Sequence, residues 1–237
     1  MISYRTKTGL SNSALKVIAA FFMLIDHSAV FFLSKDMPAY IVMRIVGRIA
    51  FPIFAYLVSE GIFYSKNLNA YFFKLLIVAV LTEIPINIAT TGKVIAIGSS
   101  NVLFTFALAV LPFAALKTAE NKTKNKTFSR LIFGVTAVFA FTLAIIFKPD
   151  YDVGGVALVW TFYMFREYRY FCLGAAAAAI AVFRINKPIE MFALLSLVFL
   201  FFANGERGWI RTRAQKLFFY LFYPLHMLVL YLLSRAV

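Results

Sequence analysis

"LKVIAAFFMLIDHSAVFFLS" (residues 15–34) is long and apolar enough to cross a bilayer, yet it carries Asp26 and His27 side by side in its middle. A spanning helix needs about 20 mainly apolar residues. An ionisable side chain at its centre makes insertion harder by ~2.5–3.5 kcal/mol. The rest of the chain calls for the same solvent. Its 237 residues are 62% hydrophobic and only 14% charged, include 28 Phe and 12 Tyr, and have a mean hydropathy of +0.85. Soluble domains run nearer half apolar and a quarter charged, and could not bury that many aromatic rings. The composition therefore predicts an all-α, polytopic transmembrane bundle, a single domain over residues 1–237.

Outward from this stretch, the chain offers nine apolar segments: 14–34, 38–62, 70–90, 101–117, 130–147, 153–165, 169–183, 187–203 and 216–234. The sixth is the shortest. The net charge of +14 is carried by Lys and Arg gathered in short loops such as "NKTKNKTFSR" (121–130). That is the pattern of topogenic charge, and no nucleic-acid partner is expected. With the amino terminus in the cytoplasm and nine crossings, sixteen of the 24 Lys and Arg fall on the cytoplasmic side and six outside. The remaining two, Arg44 and Arg48, lie inside the second segment. The bias predicts an N-in, C-out topology. Omitting the short sixth segment would put the basic cluster from Arg207 to Lys216 outside, so the charge count retains it. Cys172 is the single cysteine, so no intrachain disulfide forms and no Cys/His metal pattern exists. The first residues lead into the first span without a small-residue cleavage site, and no removed signal peptide is expected.

The orientation assigns depths to the polar residues. Asp26 and His27 follow Lys16 by ten and eleven residues, about 15–17 Å at 1.5 Å per residue. Eleven residues also return a helix to within ~20° of its starting face, which puts Lys16 and His27 on one line. Arg44 and Arg48 stand one turn apart in the outer half of the second segment, and Gly47 between them lets another helix approach closely. Glu83 and Asn87 flank Pro85 in the third segment, Asn101 opens the fourth, and Tyr223 and His226 reach mid-depth in the last. Together with Asp26 and His27 these residues are expected to line one polar cavity open to the outer face. Each has a plainer reading. Asp26 could form a packing ion pair with an arginine, His226 an interhelical hydrogen bond, Glu83 a cap for backbone freed by Pro85, and Lys16 a topology anchor. His27 stands apart, because imidazole exchanges protons near neutral pH and an intramembrane ionisable residue is functional by default.

Five stretches, "LKVIAAFFMLIDHSA" (15–29), "RIVGRIAFPIFAYLVSEG" (44–61), "LLIVAVLTEIPINI" (75–88), "NVLFTFALAV" (101–110) and "FYPLHMLVLYLL" (222–233), point to a relationship. In this order they resemble segments of the TraX family of conjugation-linked membrane proteins. The likeness covers most of the first four spans and the last, while residues 118–215 match mainly by hydropathy. It implies an acetyltransferase, since the family's namesake is associated with N-acetylating the amino terminus of pilin. The family is also similar to integral-membrane acyltransferases that place a basic residue, ten intervening residues and a histidine in their first helix. Lys16 and His27 have that spacing.

The resemblance thus implies His27 and Asp26 as catalytic residues and Lys16 as a contact for acyl-CoA. Acetyl-CoA would be the donor, with no tightly bound cofactor and no metal. The acceptor would be a protein amino terminus, a sugar or a lipid head group at the outer face of a bacterial plasma membrane. The residue types agree with acyl transfer. A base must take the nucleophile's proton, a cation or amide must support the oxyanion, and Lys16 with the cytoplasmic basic loops would attract the phosphates of coenzyme A. Arg44, Arg48 or Asn101 could hold the oxyanion or the acceptor. Two other classes remain open from sequence: a proton-coupled transporter or flippase, although no inverted repeat is visible, and a non-catalytic assembly protein of a surface apparatus.

Overall fold

The computed structural model describes residues 8–93 and 101–236, with backbone alone at 89 and 90. Arg5 and Lys7, counted above as cytoplasmic charges, lie outside the described residues. Eleven α-helices follow in chain order: α1 (Asn12–Phe32), α2 (Pro38–Gly47), α3 (Ala50–Tyr64), α4 (Leu68–Thr91), α5 (Val102–Lys122), α6 (Lys126–Phe147), α7 (Asp152–Met164), α8 (Arg169–Arg184), α9 (Pro188–Met191), α10 (Ser196–Phe201) and α11 (Arg213–Ala236). A short 3₁₀ turn, Phe192–Leu195, joins α9 to α10. Among the described residues there is no strand beyond an isolated bridge between Leu10 and Ala203.

Of the nine apolar segments expected, six are long and apolar enough to cross a membrane: α1, α2 with α3 (Pro38–Tyr64), most of α4, α5, α6 and α11. The other three are shorter. α7 has 13 residues and α8 has 16, about 20 and 24 Å at 1.5 Å per residue against a hydrocarbon core of about 30 Å. The segment expected over 187–203 is divided among α9, the 3₁₀ turn and α10. Apolar exteriors run the length of the long helices. On α6, Leu131, Val135, Val138 and Ile146 are each about three-fifths exposed or more. Such surface is tolerable only against lipid or another protein, so the chain is a multi-pass membrane protein.

The second expected segment is also interrupted. α2 ends at Gly47 and α3 starts at Ala50, with a turn at Arg48 and Ile49. Pro52 explains the site of the break. It has no N–H for the carbonyl of Arg48, four residues earlier, and its ring crowds that oxygen. Arg48 is thereby held at a discontinuity with its side chain buried.

The helices gather into two compact units, one of residues up to Leu57 with Met164 onward, the other of Val58–Tyr163. In the first, α1 packs on α2 and α11, and α2 on α9. Contacts of α1 with α11 and the segment leading into it ascend together: Ser13 Oγ accepts from the N–H of Ile210 at 2.9 Å, Lys16 Nζ lies 5.6 Å from the Phe219 ring centroid, and His27 meets His226. The first and last helices therefore run parallel. In the second unit, α4, α5 and α6 pack in sequence. Asn67, Asn101 and Asn125 each cap a helix by accepting a backbone N–H, a role suited to their short polar side chains. Trp160 of α7 donates to the carbonyl of Ala109 at 2.9 Å within a cluster of Phe113, Phe133 and Phe141.

Candidate functional site

Asp26, one residue before His27, points at α2. Its Oδ2 accepts from Arg44 Nη1 at 2.6 Å and from Nη2 of Arg48. One turn of helix separates the two arginines, so both guanidinium groups converge on a single carboxylate oxygen. The Nε–H of Arg48 also reaches back to the carbonyl of Arg44 at 3.3 Å. Asp26 is 5% exposed and Arg48 8%, so the pair is desolvated and neither partner could be left alone cheaply. Gly47 makes the approach possible: a Cβ there would stand 2.6 Å from Cγ of Asp26, well inside van der Waals contact.

His27 points instead at α11. Its Nδ1 lies 2.7 Å from Nε2 of His226, and the two rings are inclined by 22° with centroids 4.9 Å apart. His226 is buried and its Nδ1 lies 2.7 Å from the carbonyl oxygen of Phe222, one turn earlier on α11. The ring of Phe222 stacks on that imidazole at 4.8 Å. Tyr223 flanks both histidines, with ring centroids 6.0 Å from His27 and 5.7 Å from His226. Divergence of neighbouring residues by ~100° around a helix explains why Asp26 and His27 serve different partners. Among the described residues the carboxylate of Asp26 makes no hydrogen bond to His27, and Nε2 of His27 has no partner.

Lys16 stands on α1 toward its start, half-buried, over the face of Phe219. Lys216, near the start of α11, acts on it electrostatically. The remaining expected cavity residues belong to the other unit. There Glu83 Oε2 accepts from Asn101 Nδ2 at 2.6 Å and from the backbone N–H of Asn101 at 3.2 Å. Asn101 Nδ2 also donates to the carbonyl of Ala79 at 2.8 Å, while its Oδ1 accepts from Leu103 N–H at 3.1 Å. These bonds tie α4 to the start of α5, and Asn87 is buried a turn beyond Glu83. Of the expected residues, Asp26, His27, Arg44, Arg48, Tyr223 and His226 belong to one unit, and Glu83, Asn87 and Asn101 to the other.

The family model described as "TraX protein" matches residues 11–234. That is nearly the whole chain. The chain belongs to the TraX family. It is 28% identical, over 91% of its own length and 92% of the relative's, to the Dichelobacter nodosus protein "Probable fimbrial assembly protein FimC, serogroup H1". No solved structure matches. In this TraX chain two contributors to the site escaped the sequence reading. One is the Phe222 carbonyl, a backbone group with no signature in residue type. The other is Lys216, which looks like any loop cation until the start of α11 is placed against α1.

Proposed function

We propose that this TraX-family membrane protein is an acyl-CoA-dependent acetyltransferase. It moves an acetyl group from cytoplasmic acetyl-CoA to an amine or hydroxyl at the outer face, the amino terminus of a pilin or a surface glycan. The observation that carries the reading is His27, an imidazole in the middle of a spanning helix, held through one nitrogen and open at the other. Its Nδ1 is engaged by His226 at 2.7 Å, and Arg44 and Arg48 are both paired with Asp26, the residue before it. Nε2 of His27 takes the proton of the acceptor N–H or O–H. The acceptor then attacks the thioester carbonyl, and charge builds on the carbonyl oxygen. Arg44 is the less enclosed arginine, its side chain 24% exposed against 9% for Arg48, and is the donor suited to that oxyanion. Collapse breaks the C–S bond, and the imidazolium returns its proton to the leaving thiolate. Lys16, with Lys216 nearby, attracts the phosphates of the donor.

The proposed topology is nine crossings, N-in and C-out, in a bacterial plasma membrane. Parallel α1 and α11 support an odd number of crossings, because first and last helices that traverse the bilayer in the same direction need an even number of reversals between them. Six crossings would set them antiparallel, so the short segments α7, α8 and 188–201 supply the odd remainder. The Lys and Arg bias supplies the sign.

Purified protein in nanodiscs, given acetyl-CoA labelled in the acetyl group and a pilin-derived peptide or an amino sugar, tests the function. His27→Ala is expected to lower transfer by at least ~10²-fold, the usual worth of a general base, with expression and acetyl-CoA-dependent thermal stabilisation intact. Transfer undiminished by the substitution would remove His27 from the mechanism. A second reading, a non-catalytic assembly protein, is favoured by the name of the Dichelobacter nodosus relative. Absence of any stabilisation by acetyl-CoA, with surface fibres lost in the deletion strain and restored by His27→Ala, would establish it.

A further inference from the structure

The two histidines can be assigned their protons from geometry. A carbonyl oxygen only accepts, so the 2.7 Å contact between His226 Nδ1 and the Phe222 carbonyl places a hydrogen on that Nδ1. In a neutral imidazole the other nitrogen then carries a lone pair, so Nε2 of His226 is an acceptor. The atom 2.7 Å from it is Nδ1 of His27, which must donate. Neutral His27 protonated at Nδ1 has its lone pair on Nε2, the nitrogen that makes no hydrogen bond to a described residue.

We propose that His226 is a positioning residue that fixes the tautomer of His27 through a chain running from the Phe222 carbonyl to His226 to His27, and so presents Nε2 of His27 as the base. This deepens the acetyltransferase reading above and rests on it. The arrangement fulfils the task of the carboxylate in a Ser-His-Asp triad, which orients an imidazole and stabilises its protonated form. A carboxylate is adjacent in sequence, but Asp26 faces α2, where its Oδ2 binds Arg44 and Arg48. The acceptor for Nδ1–H is supplied by α11 instead. When Nε2 of His27 takes a proton, its Nδ1–H becomes a charge-assisted donor to His226 and that bond strengthens. Stacking by Phe222 at 4.8 Å and the hydrogen bond to its carbonyl hold the His226 ring from two directions.

The chain contains only two histidines, so ring-¹⁵N-labelled protein in nanodiscs yields four ring nitrogens and no crowding. Both Nδ1 atoms are expected to be protonated and both Nε2 atoms bare, with a through-bond correlation between His27 Nδ1 and His226 Nε2. A proton on Nε2 of His27, or a doubly protonated His226, would overturn the assignment without reference to turnover. Two variants test the role. His226→Leu removes the acceptor and should mix the tautomers of His27, lowering kcat on the order of 10²-fold while KM for acetyl-CoA stays within about twofold, since losing the orienting group of a triad acts mainly on kcat. His226→Gln retains a carbonyl acceptor near the lost Nε2 and should recover most of the rate. A His226→Leu enzyme at wild-type kcat would refute the positioning role and leave the acetyltransferase reading standing. The expected spectra without any transfer from acetyl-CoA would do the reverse, upholding the proton placement and ending the acetyltransferase reading.

Discussion

At the scale of single residues, the site depends on one carboxylate oxygen. Asp26 neutralises part of the charge of Arg44 and Arg48 inside a spanning helix pair, and Arg48 is buried with it. Asp26→Ala removes the carboxylate that pairs with both guanidinium groups, one of them buried, and should cost about 3–5 kcal/mol, seen as a lower unfolding midpoint in detergent. A midpoint equal to wild type would mean that the arginines reach lipid head groups or water instead. Gly47→Ala tests the same pair from the other helix. Its added methyl would overlap the Asp26 side chain, and overpacking of this kind costs about 1–3 kcal/mol. The expected result is a less stable protein in which His27 keeps its contact with His226, because that contact is made on another face of α1, by α11.

At the scale of elements, the start of α1 is tied to the segment leading into α11. Ser13 Oγ donates to the carbonyl of Arg207 at 2.6 Å and accepts from Ile210 N–H, while Asn12 N–H donates to the carbonyl of Glu206 at 2.7 Å. Gly208 has φ +74°, and a Cβ there would come within 2.7 Å of Ser13, so both conformation and space call for glycine. These bonds set the longitudinal register that brings Lys16 to Phe219 and His27 to His226. Ser13→Ala should therefore cost about 1–3 kcal/mol by removing the acceptor of the buried Ile210 N–H. Amide exchange should rise over residues 207–212 first. Uniform protection across that segment would show that packing alone holds the register. Asp26 and the two arginines could be matched from sequence, since an i, i+4 pair presents both cations to one neighbour. His27 and His226, 199 residues apart, could not, because spacing along one helix says nothing about which other helix it meets.

At the scale of the whole molecule, the proposed orientation rests on loop charge and parity. The sole cysteine, Cys172, is buried, which leaves the native chain a quiet background for labelling. Lys124→Cys in the basic loop should react with a membrane-impermeant maleimide only in inside-out vesicles, and Arg235→Cys at the end of α11 only in right-side-out cells. Both labelled from the same face would remove the odd crossing number. The residues expected to line one cavity belong to both compact units. Glu83 and Asn101 satisfy each other between α4 and α5, while the histidines and arginines assemble between α1, α2 and α11.

Composition and apolar length alone determined that this chain is an all-helical, multi-pass membrane protein, because the hydrocarbon interior accepts backbone only when its hydrogen bonds are satisfied within the segment. The order of motifs also identified the family. Tertiary structure decided the rest: which helices are neighbours, that α1 and α11 run in the same direction, and that Asp26 faces arginines while His27 faces a second imidazole. Proton positions in that pair depend on a backbone carbonyl one turn from His226, and a backbone atom acquires a specific role only when packing brings a side chain to it.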